Sequence, residues 1–509
     1  IKKMLFCLVG LLASANVSAQ VAPPTLTPYN FMDQSMIKAV SDNGKWAVSY
    51  GTGSADASTY TNTRRINIET GEVDVLGLEN EDTTPLTCSA NDVTDDGVVV
   101  GSYKGRPAKW TKEKGWEAME RWSGWESGHI NSVTPDGKYA VGVVQNEDWS
   151  EEAVLYDLET GEMMDTPGLP NKGSSTSSAE DMLAEKWKQR RFNEISADGR
   201  YITGIIDFSY TWNTLGFIYD RETATFSKPG FNADGTPWIE GLVSVTEGSF
   251  SPNGKWYGGT AYVAKSMGNE YSVPFRYNME TKEYQLYEGA ESQKYSCIRM
   301  DDNGVMYGSV TYTGPIRSLY ALVDNFWYPI DDLLKLRYGI DFYGKTGFDY
   351  TGTCTGVSGD GKVLASFPDP YTSYTLKMNE SIADAARNVD LLSIYKTTPS
   401  DGSSVTNIKS VEVAFNYEVD VIGNKSDVRF TDKNGNSFST VVKFEANSTN
   451  KKVVNVGFRT KALAVGETYT LPIPAGTISL KGNPNRTNSE IVVHITGRGA
   501  APVEMVSAT

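Results

Sequence analysis

Seven similar stretches occur along this chain, and each has Ser, Thr or Asp three residues before a Gly that follows Asp or Asn. They read SDNGKWAVS from Ser41, TDDGVVVGS from Thr94, TPDGKYAVG from Thr134, SADGRYITG from Ser196, SPNGKWYGG from Ser251, DDNGVMYGS from Asp301 and SGDGKVLAS from Ser358. A unit of this kind cannot bury its own apolar face, so the copies must stack on one another. The repeat therefore decides the architecture before any single residue is considered.

Each repeat predicts two β-strands joined by a hairpin. The Asp/Asn-Gly pair supplies the positive φ of a tight turn, and an apolar run follows it. An apolar residue also stands four positions before each repeat glycine; these are Val40, Val93, Val133, Ile195, Phe250, Met300 and Val357. Two further strands follow in stretches such as RINIETGEVDVL from Arg65. Four strands in a repeat of roughly 40 to 60 residues are typical of one propeller blade.

The predicted fold class is therefore all-β, with a seven-bladed β-propeller over residues 20–380. The seventh unit lacks an outer strand, and TLTPYNF from Thr25 is expected to supply it. This pairing would protect a sheet edge that otherwise invites aggregation. A short helical linker, SIADAARN, is expected within 381–390, and the alternating strands of residues 391–509 predict an Ig-like β-sandwich.

The first twenty residues, IKKMLFCLVGLLASANVSAQ, have the layout of a signal peptide, with two lysines, an apolar run and a small-residue site. Cleavage is expected after Ala19, so residues 1–19 are assigned to the leader. Cys7 lies inside the apolar run, which argues against a lipoprotein. No later stretch approaches the length of a membrane span. We expect an exported protein, in the periplasm, at the cell surface or outside the cell.

The net charge limits the possible partners, and the cysteine count limits the possible disulfides. The formal net charge is −16, and a field of this sign disfavours nucleic acid as a partner. Three cysteines follow the leader, Cys88, Cys297 and Cys354. An odd number is a poor basis for a disulfide framework, so buried free thiols are expected.

Two family resemblances follow from these residues. The propeller units resemble extracellular HAF-type repeats at Asn91 to Gly101, Asn131 to Gly142 and Asn193 to Gly204, where an Asn precedes the Ser/Thr-x-Asp-Gly turn. Repeats one, five, six and seven lack this Asn. The C-terminal part resembles the surface-layer type of bacterial Ig-like domain through Asp401-Gly402, Phe415 and YTLPIPAGTISLKGNP from Tyr469. The resemblances imply a bacterial secreted or surface protein without a defined reaction.

Residues that could carry catalysis are few. Of the two histidines, His129 and His494, neither has a predicted triad or metal-ligand partner. Asp92 and Glu194 share the position five before the repeat glycine and could act as a carboxylate pair, although a structural role is the simpler interpretation. The turn aspartates lack the spacing of a calcium loop. We predict no catalytic residue, metal site or cofactor.

The loops between second and third strands, and those that enter the first strands, are rich in aromatic residues. In a propeller these loops share one face. Exposed aromatic rings there either pack locally and cap the core or bind a ligand by stacking. The predicted ligand-binding residues are Trp122, Trp125, Trp149, Tyr210, Trp212, Tyr271, Tyr312 and Tyr371.

One insertion, NKGSSTSSAEDMLAEKWKQRRF from Asn171, predicts a helix with a capping box from Ser177 to Glu180. The helix would place Leu183, Trp187 and Arg191 on one side and would be locally basic. It could dock a partner, cover the loop face, or lie solvated on the surface.

Three functions remain open from the sequence. The first is a non-enzymatic binding protein that uses the loop face for a glycan or a cell-surface protein. The second is a carbohydrate-active hydrolase with paired carboxylates at the propeller mouth. The third is a structural subunit of a cell-surface assembly. We expect binding rather than catalysis.

Overall fold

The structure is a computed structural model. It describes the chain except for residues 1–20, 31–34, 52–62, 80–83, 86, 126, 148–150, 168–188, 209–212, 233, 246–247, 265–269, 288–293, 312–316, 370–371, 390, 393 and 500–509. The chain divides into two compact units, residues 1–323 with 327–387, and residues 324–326 with 388–509. Strands dominate both units, and the predicted all-β class is confirmed.

The first unit begins with β1 (Thr25–Asn30) and continues in groups of antiparallel strands, each containing one copy of the repeat. The first group has β2 (Ser35–Val40), β3 (Trp46–Gly51), β4 (Arg64–Asn67) and β5 (Val73–Val75), followed by a hairpin of β6 (Leu78–Glu79) and β7 (Thr84–Pro85). The second has β8 (Cys88–Val93), β9 (Val99–Tyr103), β10 (Arg106–Thr111) and β11 (Gly115–Ala118).

The third and fourth groups are joined by one parallel bridge between Glu151 and Gln189. The third has β12 (Ser127–Val133), β13 (Tyr139–Gln145), β14 (Glu151–Asp157) and β15 (Met163–Met164). The fourth has β16 (Gln189–Ile195), β17 (Tyr201–Phe208), β18 (Asn213–Asp220) and β19 (Thr225–Ser227).

The fifth group has a first strand in two pieces. It consists of β20 (Leu242–Val245), β21 (Ser249–Phe250), β22 (Trp256–Ala264), β23 (Glu270–Asn278) and β24 (Tyr284–Leu286). The sixth has β25 (Lys294–Met300), β26 (Met306–Thr311), β27 (Arg317–Val323) and β28 (Phe326–Pro329), and the helices α1 (Ile330–Tyr338) and α2 (Phe342–Thr346) follow. The seventh has β29 (Thr353–Val357), β30 (Val363–Asp369) and β31 (Thr372–Lys377), and α3 (Ile382–Arg387) ends the unit.

The N-terminal strand completes the seventh sheet. β1 pairs antiparallel with β31, from Thr25 opposite Lys377 to Asn30 opposite Thr372. The segment predicted to supply the outer strand is therefore the one that does so. The first and seventh sheets also share a core cluster, in which Ile37 and Ile66 pack with Val363 and Ala365.

The repeats form the predicted hairpins, and their polar residues hold the turns together. In the first turn Ser41 Oγ donates to Asn43 Oδ1 at 2.9 Å and accepts the Trp46 amide at 3.0 Å, while Gly44 has φ +70°. Asp301 replaces the hydroxyl in the sixth turn, where its carboxylate accepts the amides of Asn303 and Val305. The turn aspartates thus have the structural role expected of them.

Successive turns are linked to one another by hydrogen bonds. Asp95 N donates to Pro135 O at 3.0 Å, and Asp302 N donates to Gly359 O at 3.0 Å. Gly359 N donates to Asp42 O at 2.8 Å and so links the seventh turn to the first. The number of blades in a closed propeller is still a prediction, whereas these contacts are observed.

The second unit is a separate β structure with alternating buried and exposed residues along its strands. It contains β32 (Ile394–Thr398), β33 (Ser403–Val405), β34 (Asn407–Phe415), β35 (Val419–Val421), β36 (Phe430–Thr431), β37 (Ser437–Ser439), β38 (Val441–Ala446), β39 (Val453–Ala462), β40 (Thr468–Ile473), β41 (Ile478–Leu480), β42 (Asn483–Thr487) and β43 (Ile491–Gly497). Phe430 packs against Phe458 and Tyr469 in its core. The Ig-like type of this unit stays a prediction.

The predicted basic helix is wrong at its C-terminal end. Residues 168–188 lie outside the described part of the chain, but Arg190 and Arg191 belong to strand β16. Arg190 Nε donates to Glu152 at 2.8 Å, and Arg191 Nε lies 3.2 Å from Glu151. The parallel bridge at Gln189 places this segment beside β14, and the ion pairs neutralise both arginines of the segment that was expected to be basic.

Candidate functional site

A central cavity of about 670 Å³ lies where the first strands of all seven groups approach their turns. The pairing of first and second strands shifts by one residue in every group, and in six of the seven the shift lies six positions before the repeat glycine. The extra residues in these six are Lys38, Asn91, Asn131, Asn193, Ile298 and Thr355. Such β-bulges re-aim side chains. In five of these groups the bulged residue and the one after it both line the cavity.

The asparagines of the repeat connect neighbouring sheets at this level. Asn91 Nδ2 donates to Ile130 O at 2.7 Å, and Asn131 Nδ2 donates to Phe192 O at 2.7 Å. Each bond runs from one first strand to the next. The Asn that carries the family resemblance is therefore an inter-sheet link.

The paired carboxylates Asp92 and Glu194 make equivalent links. Asp92 accepts the amides of Val93 and Val133 at 2.9 and 3.0 Å. Glu194 accepts the Ser249 hydroxyl and the Phe250 amide, both at 3.0 Å. All four carboxylate oxygens thus accept protein hydrogen bonds. The structural interpretation explains both residues.

Burial dominates the electrostatics of these acids. It raises the pKa of Asp92 to about 6 and that of Glu194 to about 7, while the charge of Arg299 lowers both. Arg299 Nε also donates to Thr355 O at 3.0 Å, which joins the sixth and seventh groups. The cavity wall is therefore a network of charged side chains that connect adjacent sheets.

Two further charged residues line the cavity, both in the first group. Burial, with Asp302 and Asp95 nearby, raises the pKa of Asp42 to about 8. Burial and the charge of Arg299 lower the pKa of Lys38. The sequence analysis singled out neither residue. Their positions six and two before Gly44 are the signal that could have identified them, since the same register places Asn91 and Pro135 in the wall.

The two histidines lie in different environments, and neither belongs to a metal-binding group among the described residues. Burial and Arg191 lower the pKa of His129, and His494 Nδ1 lies 3.2 Å from Asp401 on the surface. Within the described ranges, no group of three or more His, Cys, Asp or Glu residues could hold a metal ion. Among the cysteines, Cys354 is a buried free thiol and Cys88 a half-buried one, whereas the Cys297 side chain is outside the described residues.

Of the eight predicted aromatic residues, Trp122 and Trp125 have described side chains, and neither lines the cavity. Trp125 is 4% exposed and packs edge-on against Trp122 at 6.0 Å, within a core cluster that includes Ile130. These two therefore pack locally. Tyr271 lies in β23 with only its backbone described. The other five, Trp149, Tyr210, Trp212, Tyr312 and Tyr371, fall outside the described residues.

The strands that flank those five residues are well placed for the predicted loop face. Gln145 pairs with Glu151 at one hairpin end, and Phe208 pairs with Asn213 at another. Both hairpins connect second to third strands, so they lie at the opposite end of their sheets from the repeat turns. The cavity and the predicted loop face thus belong to different ends of the sheets.

Comparison with known proteins gives a likeness of fold only. No protein-family model matches the sequence, and no curated protein matches it significantly. Similar solved structures include an oligogalacturonate lyase in complex with manganese, at 13% identity, a TM-score of 0.46, and coverage of 70% of this chain and 97% of that one. The oligogalacturonate lyase from Vibrio parahaemolyticus is 14% identical with a TM-score of 0.44, at the same two coverages.

The β-propeller domain of the Trilobed protease from Pyrococcus furiosus is 11% identical to this chain. Its TM-score is 0.40, and the alignment covers 68% of this chain and 92% of that one. At these scores nothing about function follows. The resemblances to HAF-type repeats and to the surface-layer Ig-like domain stay predictions. No helix among the described residues is long and apolar enough to cross a membrane.

Proposed function

We propose that this protein is an exported, non-enzymatic binding protein in which a seven-bladed β-propeller is followed by an Ig-like β-sandwich. The hydrogen bonding of the Asp92 and Glu194 carboxylates is the observation that favours binding over catalysis. A hydrolase needs one carboxyl to give a proton and another to attack or activate water. Here all four oxygens accept hydrogen bonds, and most of these come from neighbouring sheets.

The proposed binding surface is the loop face between second and third strands, with a glycan or a cell-surface protein as partner. The described hairpin ends at Gln145 and Phe208 support it, since the loops that carry Trp149 and Trp212 emerge there. Aromatic rings suit both partners because they offer large apolar faces with little conformational entropy to lose. The proposed location is the periplasm or the outer cell surface.

The test is a glycan and surface-protein array probed with the chain from Gln20 onward. Trp149→Ala and Trp212→Ala are each expected to weaken the strongest interaction about tenfold, because one stacked aromatic is worth roughly 1 to 2 kcal/mol. Tyr395→Ala is the matched control, since Tyr395 is 73% exposed in the second unit. Binding that survives both tryptophan changes would refute the loop face.

Turnover of an array glycan would refute the non-enzymatic part of the proposal separately. The product would be followed by chromatography with the unmodified chain and with Glu194→Gln. If the unmodified chain hydrolyses the glycan and the folded Glu194→Gln variant does not, the result would support the hydrolase instead. Binding without product is the expected result.

A further inference from the structure

Two residues of opposite charge in the central cavity have no ion-pair or hydrogen-bond partner among the described side chains. Lys38 and Asp42 both line the cavity and both belong to the first group. In the described part of the chain, Lys38 forms no ion pair, and its ammonium lies 5.7 Å from the centre of the Tyr50 ring. The Asp42 carboxylate accepts no hydrogen bond from any described residue. The other cavity charges, Asp92, Glu194 and Arg299, all bond to a neighbouring sheet.

A third polar group in the wall, the Thr355 hydroxyl, also has no partner among the described residues. Thr355 is 7% exposed and lines the same cavity, and its hydroxyl makes no hydrogen bond to the described residues. Buried polar groups are normally satisfied, and leaving one unpaired is costly. This buried hydroxyl, together with the half-buried Lys38 and Asp42 on the same wall, points to a ligand in the cavity.

Burial favours the neutral form of both side chains. Burial and neighbouring acids raise the pKa of Asp42 to about 8, and burial and Arg299 lower the pKa of Lys38. A ligand that brings an ammonium to Asp42 and a carboxylate to Lys38 restores both charged forms. A ligand of one sign leaves one of them unmatched.

The spacing of the two residues limits the length of the ligand. They are four residues apart, with Lys38 in β2 and Asp42 in the turn that follows, so their Cα atoms are at most about 13 Å apart. A peptide of three residues extends for about 10 Å, and the long Lys38 side chain covers the remainder. The cavity volume of about 670 Å³ accommodates a molecule of this size.

We infer that the central cavity binds a short peptide of about three residues with free ends, its ammonium on Asp42, its carboxylate on Lys38 and a peptide group on Thr355. This site goes beyond the function proposed for the loop face, because it lies at the turn end of the sheets. The two sites can therefore be tested independently.

The first test needs no mutation. Trialanine and triserine are titrated into the chain from Gln20 by calorimetry at pH 7, beside N-acetylated and C-amidated forms of each. Each blocked form is expected to bind about tenfold more weakly, since one charge-assisted contact is lost. Equal binding of free and blocked peptides, or no binding of either tripeptide at millimolar concentration, would overturn the inference.

The second test assigns the two ends. Lys38→Met should abolish the preference for the free carboxylate only, and Asp42→Asn the preference for the free amine only. Lys45→Met, at an exposed position of the same group, is the control and should keep both preferences. A variant that discriminates as the parent does would refute the role of that residue. Trp212→Ala should leave peptide binding unchanged, since the loop face is a separate site.

Discussion

The repeat glycines do more than permit a turn. A Cβ on Gly97 would lie 2.9 Å from Trp46 Cε2 and 2.8 Å from Arg65 Nη1, and one on Gly199 would lie 2.5 Å from Tyr139 Cδ2. Trp46 and Tyr139 each stand two residues after the glycine of the preceding repeat. Each glycine is therefore the contact point on which the previous unit packs, in addition to its positive φ.

This contact predicts unequal costs for two similar substitutions. Gly97→Ala and Gly105→Ala both place a side chain at positive φ, which costs about 1 kcal/mol. Only Gly97 has close neighbours, since nothing lies within 4 Å of a Cβ at Gly105. We expect a loss of about 3 kcal/mol for Gly97→Ala because overpacking adds to the backbone strain.

Urea unfolding followed by tryptophan fluorescence measures both losses. All eleven tryptophans lie in the first unit, so the signal reports that unit alone. Equal losses for the two variants would show that packing on the glycine contributes nothing.

The cavity acids predict a pH dependence of stability. Asp42 and Glu194 have pKa values raised to about 8 and about 7 in the folded state, so the folded chain binds more protons than the unfolded chain between pH 6.5 and 8.5. Their stability contribution is complete below the unfolded pKa and is lost as pH rises through the folded values. The free energy of unfolding should fall by about 2 kcal/mol across this window.

His129 contributes a small change of the opposite sign in this window. Its pKa is lowered in the folded state, so only the unfolded state loses protons from it just above pH 6.5, which raises the free energy of unfolding slightly as pH rises. The free energy of unfolding is measured at pH 6.5 and 8.5 for the parent and for Asp42→Asn, which should show less than half of the decrease. A decrease of the same size in the variant would exclude Asp42 as its main source.

At the scale of strands and turns, the sequence predicted what depends on neighbours along the chain. The apolar position four before the glycine is buried in every repeat, with Val93 and Phe250 each 3% exposed. The hairpin between first and second strands follows from Asp/Asn-Gly turn chemistry. Both features depend on residues within about ten positions of one another in the sequence, and both are confirmed.

The sequence did not predict what depends on the next sheet. The bulge at Asn91 has no local signature, and its side chain bonds to Ile130, thirty-nine residues later. Arg191 was assigned to a helix from its local pattern, whereas its pairing with Glu151 holds it in a strand. The repeat register could have placed Lys38 and Asp42 in the cavity wall, but their lack of a partner among the described residues depends on how the seven first strands meet.

At the scale of the whole first unit, the contacts between its first and last sheets follow the rule that joins the others. A Cβ on Gly44 would lie 2.7 Å from Val363 Cγ2, and Val363 stands two residues after Gly361. The seventh repeat thus packs on the first as Trp46, Tyr139 and Trp256 pack on the glycine of the next repeat. The strand β1 then covers the edge of β31, and Pro28 is tolerated because β1 is the outermost strand.

This arrangement predicts that a short N-terminal segment stabilises the whole unit. Removing residues 21–30 deletes six paired positions and the buried Leu26, which is 4% exposed. The loss should be at least about 3 kcal/mol from apolar burial and the strand hydrogen bonds. The chain that begins at residue 31 should unfold at lower urea than the chain that begins at residue 21, again by tryptophan fluorescence.

The exposed edge of β31 should also accept the missing strand from solution. A synthetic peptide of residues 21–30 is expected to raise the urea midpoint of the shortened chain in a concentration-dependent way, since a ligand of the folded state stabilises it by mass action. The control peptide carries Leu26→Asp, which keeps the backbone pairing but places a charge at the buried position. An unchanged midpoint after truncation, or equal rescue by both peptides, would mean that β1 contributes no specific packing to the unit.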